Sequence, residues 1–530
     1  MCSLLLSCFF TFGRKIVFSG SVFSGWQENY FKDFNAFDLV LFLLAALFIY
    51  AVLLTLIYFA PALRRLVTTN RPRKASPVKI ALSFSLGLML LWSPYFLSFF
   101  PGFVLSDSLS SIRQALWGIS SNQHPAVYTL FVKVFITVGR HLGSLSSLNT
   151  GVFLYALFQY VVMALVQGGL LSLLYSKNVR LVYVLAAGLF FGIMPVFPSY
   201  ALILWKDPLF SVGLLLLSIY LYFFVDQPQD RNKKWMWLLL IVGSFLTLFF
   251  RNNGVYTFAA VLLLFAIVIK KPSRAASFFM AGMIALYFFI SGPVLSYFKV
   301  EKPSVEAYGV PIQQVAYVAA QSPGELTGQE AAVIGAIVPL EQYSAIYDPC
   351  LVDSIKFSSS FDRAYWNQHS GDFLRTYLSM LPKHFPAYVK AYCLATFGFW
   401  HPCLQNEYGY IDQFITENTL EIHTVDLIQN VFGFSVQDKL LAFRPMLGSG
   451  TLAWIMLVSL TLCLESGQKK RALFYAPPFF LWLFVLIATP VAFSFRYVYF
   501  LALLLPMMLI YPFLSIPAGR HAEQKEEKEA

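Results

Sequence analysis

Charge is what this sequence has least of. Asp, Glu, Lys and Arg make up 12% of its 530 residues, against roughly a quarter in soluble chains, while 58% of the residues are hydrophobic and mean hydropathy is +0.65. Such a balance excludes a water-soluble globule, because no soluble core absorbs that much apolar surface. Cysteine is scarce as well. The six, at 2, 8, 350, 393, 403 and 463, make no CxxC pair and no metal-like spacing, which leaves at most one disulfide among Cys350, Cys393 and Cys403. Internal repeats are not evident, and with them the pseudo-symmetry expected of many transporters is missing. The start lacks the charged opening of a signal peptide: residues 1–12 are apolar, but Gly13, Arg14 and Lys15 follow them rather than precede them. That stretch reads as an interfacial or poorly ordered lead-in.

What is present in abundance is long apolar runs: 37–60, 78–100, 148–174, 181–198, 209–225, 235–250, 254–269, 275–295, 451–464, 473–487 and 498–514. Most approach the roughly 20 residues that a bilayer-crossing helix needs. The fold class expected is therefore all-α and integral to a membrane, with about eleven transmembrane helices.

The formal net charge of +11 invites a nucleic-acid partner, but the positions of the charges argue against one. Basic residues gather in alternate short loops: Arg64, Arg65, Arg71, Arg73, Lys74 and Lys79; Lys177 and Arg180; Arg231, Lys233 and Lys234; Lys270, Lys271 and Arg274; Lys469, Lys470 and Arg471. If the runs are spans, all these loops lie on one side, and excess Lys and Arg mark that side as cytoplasmic. The chain then divides into a lead-in (1–37), eight spans with an outer loop at 101–147 (38–297), an extracytoplasmic insertion (298–448), three more spans (449–515) and a charged cytoplasmic tail (516–530). The expected location is the cell membrane, with the N-terminus outside and the C-terminus inside.

Polar chemistry falls on the opposite side. The insertion is mostly helical, and its 373–400 stretch mixes Lys383, His384 and Lys390 with many aromatic rings, a composition suited to helices lying in the headgroup zone. Pro382 and Pro386 speak against a twelfth span there. In the outer loop, Asp107 follows the second run and opens an amphipathic stretch, 108–118, expected to lie along the membrane surface. A carboxylate at a bilayer edge is costly unless it has a role, although an N-cap would be role enough. His124 and Pro125 open the next apolar stretch. Lys206 with Asp207, Arg251 with Asn252 and Asn253, and Arg496 with Tyr497 form further charged corners; Lys206 and Asp207 could simply pair with each other. Arg113, Lys206, Arg251 and Arg496 on one leaflet suggest a pocket for an anionic lipid headgroup, since a guanidinium matches phosphate with two prongs, while each could instead snorkel to bulk lipid.

The order of these features resembles the GT-C superfamily of membrane glycosyltransferases, and more narrowly an uncharacterised GT-C-like family of bacterial membrane proteins. The resemblance is carried by Asp107-Ser108 with Gln114, Gly118 and His124-Pro125, then Trp205-Lys206-Asp207, Arg251-Asn252-Asn253-Gly254, Gly309-Val310-Pro311-Ile312-Gln313-Gln314 and Phe495-Arg496-Tyr497. It spans nearly all of 80–515. It implies transfer of a sugar from a polyprenyl-phosphate-linked donor to a glycan, lipid or protein acceptor on the extracytoplasmic face. Asp107 would then be general base with His124 beside it, Arg251, Arg496, Lys206 and Arg113 would bind the donor phosphate, and Gln114, Asn252, Gln313, Gln314 and Tyr497 would hold sugar or acceptor. Two departures stand out. The first outer loop has one acid where many GT-C enzymes pair two, so no metal site is assigned although a divalent metal stays open, and an extra span precedes that loop. The other classes weighed are a transporter or flippase of an anionic substrate, a glycan ligase or polymerase, and a scaffold.

Overall fold

The computed structural model describes residues 1–514 except 26, 71, 72, 74, 143–146, 270–272, 303, 403–407, 409, 466–468, 489 and 490. The tail 516–530, Arg71, Lys74, Lys270, Lys271 and Cys403 lie outside the described residues. Among the described residues the secondary structure is helical apart from one two-stranded pair, Ile16–Val17 with Tyr30–Phe31.

The first helices are α1 (Cys2–Gly13), α2 (Ala36–Val67), α3 (Pro77–Ser98), α4 (Ser106–Trp117), α5 (Ala126–Leu142) and α6 (Ser147–Ser176). Then come α7 (Leu181–Ile193), α8 (Val196–Leu202), α9 (Lys206–Asp226), α10 (Lys234–Phe249), α11 (Gly254–Val268) and α12 (Arg274–Phe289). All eleven apolar runs are helical. Among the described residues, six helices are long and apolar enough to cross a membrane, or seven if α7 and α8, bent by 55°, count as one span. The runs at 235–250, 254–269, 451–464 and 498–514 make shorter helices. Lipid is the solvent their surface demands. Leu39, Leu43, Leu47 and Phe48 of α2 are all more than half exposed, and a row of bare apolar side chains on a helix with its backbone satisfied is stable in hydrocarbon and not in water.

Helix α9 is the hub, buried along nearly its whole length. Its far end, Asp226, takes a two-pronged ion pair from Arg471 (Nη2 to Oδ2, 2.7 Å; Nε to Oδ1, 3.1 Å). Around that end the basic loops meet: Arg73 donates to the Val179 carbonyl, Lys177 lies over the Tyr222 ring, and Arg231 donates to the Phe224 carbonyl. Lys206 opens the other end, about 30 Å away at 1.5 Å per residue.

The α7–α8 bend is a break in helical backbone, and freed carbonyls there need partners; that of Phe191 accepts from Trp92 Nε1 at 2.9 Å. Pro195 enforces it by driving Met194 into an extended conformation (ψ 119°). Where α8 ends in its turn, Gln159, fully buried in α6, gives Nε2 to the carbonyls of Tyr200 (2.8 Å) and Ile203 (2.7 Å). Tyr155, one turn earlier, donates to the Trp205 carbonyl at 3.0 Å.

The structure corrects one expectation. Residues 2–13 are not a loose lead-in but helix α1, whose Ser7 hydroxyl donates to the Phe42 carbonyl and whose Phe9 ring sits 5.6 Å from that of Trp400. Apolar length too short to span still gains by packing on neighbouring helices. Cys350 and Cys393 are free. Segment 298–448 is built of Gly309–Gln321, Gly328–Ile337, Arg363–Met380 and Phe385–Thr396, followed by extended chain through 410–426.

Candidate functional site

Three extended segments lie side by side at the Lys206 end of the bundle. Phe103 exchanges bonds with 202–204 (Phe103 N to Leu202 O, 3.2 Å; Leu204 N to Phe103 O, 3.0 Å), and Val104 exchanges them with 414–416 (Val104 N to Phe414 O, 3.2 Å; Thr416 N to Val104 O, 2.8 Å). The approach requires glycine at 102, where φ is +129° and a Cβ would meet the Leu202 carbonyl oxygen at 2.6 Å. This layer delivers the start of α4 and the start of α9 to one place.

At the head of α4, Ser108 rather than Asp107 closes the helix, its hydroxyl accepting from the Leu105 N–H at 3.1 Å. The N-cap position is Leu105, so Asp107, the second residue of α4, does not cap the helix. The Asp107 carboxylate instead accepts from Arg496, Nη1 to Oδ2, at 2.6 Å. Arg496 comes from the 3-10 turn Phe495–Tyr497 ahead of the last helix, Tyr499–Ile510. Its second nitrogen donates to the Tyr497 hydroxyl at 3.1 Å, and its guanidinium lies over the rings of Trp205 (5.2 Å) and Tyr497 (5.0 Å).

Lys206 reaches across to His124, its ammonium donating to Nδ1 at 2.9 Å. Burial, then the Lys206 charge, pushes the His124 imidazole down to about 3, so the ring is neutral at ordinary pH and carries its proton on Nε2. Burial alone would raise the Asp107 carboxyl, but Arg496, then Lys206 and His124, hold it well below the usual carboxylate range. Lys206 and Asp207 do not pair with each other, because consecutive residues at a helix start point in different directions. Asp207 instead meets Arg251 at 3.1 Å, both side chains under 10% exposed, with Arg251 stacked 4.2 Å from the Tyr497 ring. Asp107, Ser111, His124, Tyr128, Trp205, Lys206 and Asp207 line a narrow crevice.

The structure thus brings Asp107, His124, Lys206, Arg251, Arg496 and Tyr497 together and keeps the other candidates apart. Arg113 is exposed and makes no hydrogen bond or ion pair among the described residues. Gln114 accepts from the Ser121 N–H at 3.0 Å, and Asn252 donates to the Asn122 carbonyl at 2.7 Å, so both tie the loop that carries His124. Gln313 and Gln314 are buried inside segment 298–448, donating to the carbonyls of Asp348 (2.6 Å) and Tyr388 (3.1 Å). They hold helices to one another rather than face the crevice. Three residues given no site role from the sequence stand at the site: Asp207 as the partner of Arg251, Trp205 as the platform under Arg496, and Asp412, which comes within electrostatic reach of Arg496. Among the described residues no three His, Cys, Asp or Glu side chains gather as a metal ion would need.

Residues 118–530 match a family of unknown function, DUF6020. The chain belongs to that family. The match takes in His124, Lys206, Arg251 and Arg496 and begins eleven residues after Asp107. No curated protein and no solved structure matches the chain.

Proposed function

We propose that this member of DUF6020 is a membrane glycosyltransferase of the GT-C type, moving a sugar from a polyprenyl-phosphate donor to a glycan, lipid or protein acceptor on the extracytoplasmic face. The observation that carries the reading is the meeting of Asp107, Lys206 and His124 in one crevice, with Arg496 paired to Asp107, at the opposite end of α9 from the basic loops. By the positive-inside rule the Arg471 end of α9 is cytoplasmic and the crevice extracytoplasmic. The eleven apolar helices are then spans, α4 lies along the outer membrane surface, and the helices of 363–396 sit in the headgroup zone.

Asp107 is a poor base while Arg496 holds it. A donor phosphodiester competes for that guanidinium, and when phosphate takes it, Asp107 loses the charge that lowers it and becomes basic with the donor in place. Asp107 then takes the proton of the acceptor hydroxyl. The hydroxyl oxygen bonds to the anomeric carbon of the sugar, the bond from that carbon to the phosphate oxygen breaks, and its electron pair leaves with the polyprenyl phosphate. The charge that develops there falls on Arg496 and Lys206. Arg251, committed to Asp207, acts by fixing the Tyr497 ring. Neutral His124 anchors Lys206.

The test is release of polyprenyl phosphate by protein in liposomes from a panel of polyprenyl-phosphate sugars. Release from at least one donor is expected, lowered about a hundredfold or more in Asp107→Asn. No release from any donor, or normal release in Asp107→Asn, would overturn the reading.

A further inference from the structure

We propose that residues 427–443 form an interfacial anchor in the bilayer leaflet at the crevice end of α9, placing Val431, Phe432, Phe434 and Phe443 among the upper acyl chains of phospholipids. Nothing in this depends on sugar transfer at Asp107.

Tyr410 closes this part of the chain into a loop. Its hydroxyl donates to the Pro445 carbonyl at 2.9 Å and accepts from the Leu447 N–H at 3.1 Å. The outgoing limb of the loop, 413–425, is tied to the layer beside the crevice. Gln413 Nε2 donates to the Ser199 hydroxyl at 2.7 Å, the Phe414 carbonyl accepts from Val104, and the Val425 N–H donates to the Phe100 carbonyl at 2.7 Å. Two short helices follow, Leu427–Phe432 and Gln437–Ala442, and both pack on α3. Gln437 Nε2 donates to the carbonyl of Ser98, the last residue of α3. The loop is thereby fixed at the level where α3, one of the helices long and apolar enough to cross a membrane, comes to its end.

The side chains of the loop are sorted as an interfacial segment requires. Val431, Phe432 and Phe434 are more than half exposed and Phe443 nearly half, with the rings of Phe432 and Phe434 side by side at 6.1 Å. A single bare apolar residue needs no explanation, but four on one short segment do. Their backbone is prepared for a place poor in water. The Asn430 N–H donates to the Asp426 carbonyl at 3.1 Å, the Gly433 N–H donates to the Gln429 carbonyl at 3.0 Å, and Gly433 ends the helix in the left-handed region (φ +75°). The Asp426 carboxylate accepts from the Gln429 N–H at 3.0 Å and from the Ser435 hydroxyl. The remaining exposed groups, Gln429, Asn430, Asp438 and Lys439, suit the headgroup level, as on helices that lie in a membrane surface.

Continuity with α3 decides what covers the rings. That helix presents Leu86, Leu90 and Leu97 to the outside, so the lipid that solvates it meets the loop packed on its end. The limb that bonds to Val104 is then held by protein at one end and by the bilayer at the other.

The test places the photoreactive residue p-benzoylphenylalanine, one position at a time, at Phe432, at Phe434 and, as a water-facing control, at Glu341. The full chain is reconstituted in liposomes of phosphatidylcholine with tritiated acyl chains and irradiated. Tritium bound to protein should be several-fold higher at 432, 434 or both than at 341. Labelling at 432 and 434 no higher than at the control would overturn the proposal. So would cross-linking of one protein chain to another in place of lipid at both positions, which would give the surface to a second copy.

Discussion

Asp107 and Arg496 stand 389 positions apart in the chain and 2.6 Å apart in space. Their pair closes the fold on itself, since one stands in the first turn of α4 and the other in the turn before the last helix. The two side chains are 33% and 23% exposed, so the bond is neither a surface ion pair nor a fully desolvated one.

Because each partner leaves the other half-buried and unpaired, Arg496→Ala and Asp107→Asn should each lower stability by about 1–3 kcal/mol, a value reduced from that of a deep pair to allow for solvent. The double variant should lose little more than either single one. Thermal or denaturant unfolding of all four proteins measures the coupling; strictly additive losses would mean that the pair does not form in solution.

The Lys206–His124 contact has a pH signature. The folded-state pKa of His124, about 3, lies below the value of about 6.5 in an unfolded chain. The unfolded state therefore binds a proton first, and His124 costs stability as pH falls below about 6.5, by at most about 1.4 kcal/mol per pH unit. Asp107 contributes its own loss only below its ordinary value near 4. Between about pH 6.5 and about pH 4 the melting temperature of His124→Asn should thus fall less than that of wild type; parallel curves would rule out a neutral buried imidazole.

At the other end of α9, Arg471 and Asp226 form a two-pronged pair with both side chains almost wholly buried. Removing one partner of such a pair costs about 3–5 kcal/mol. Asp226→Ala should show that loss in unfolding while leaving anion binding at Arg496 unchanged in the protein that remains folded. Lost binding at full stability would mean that the two ends are coupled.

Sidedness can be read with cysteine labelling. In a background with the native cysteines replaced, a cysteine in place of Asn70 should react with an impermeant maleimide only after permeabilisation, and one in place of Glu341 in intact cells. The reverse pattern would move the crevice to the cytoplasm.

The apolar runs made the helices legible, because lipid and buried core both demand long uninterrupted hydrophobicity. How many of the shorter helices cross was not legible, since 15 or 16 residues serve equally for a tilted span and a packed half-helix. The charged corners also stood out, because a charge beside an apolar run has few innocent explanations. Their partners did not. Asp207 looked like company for Lys206 in sequence, and only the fold sets it against Arg251. Arg113 could have been separated from Asp107 beforehand: six residues at 100° apiece is 240°, so the two leave α4 from different faces. Gln313 and Gln314 carry the right groups for a sugar, but buried amides equally serve to tie a helix to the carbonyls of Asp348 and Tyr388. Asp412 had no signal, because extended chain gives a lone acid no periodicity to stand against.

Helix α2 offers a last consequence. Of its 32 residues only Asp38, Ala46 and Leu53 are buried, with Lys15 held on Asp38 at 2.7 Å. Lipid reads the exposed side chains only through their transfer free energy and does not distinguish Leu from Ile, Val or Phe by shape. The helix therefore carries little information per residue, and most of its letters can be rewritten within the apolar alphabet as long as those three positions and the length are kept. In α9, buried on every side, the same liberty would leave voids and clashes against neighbours that recognise each residue by its outline.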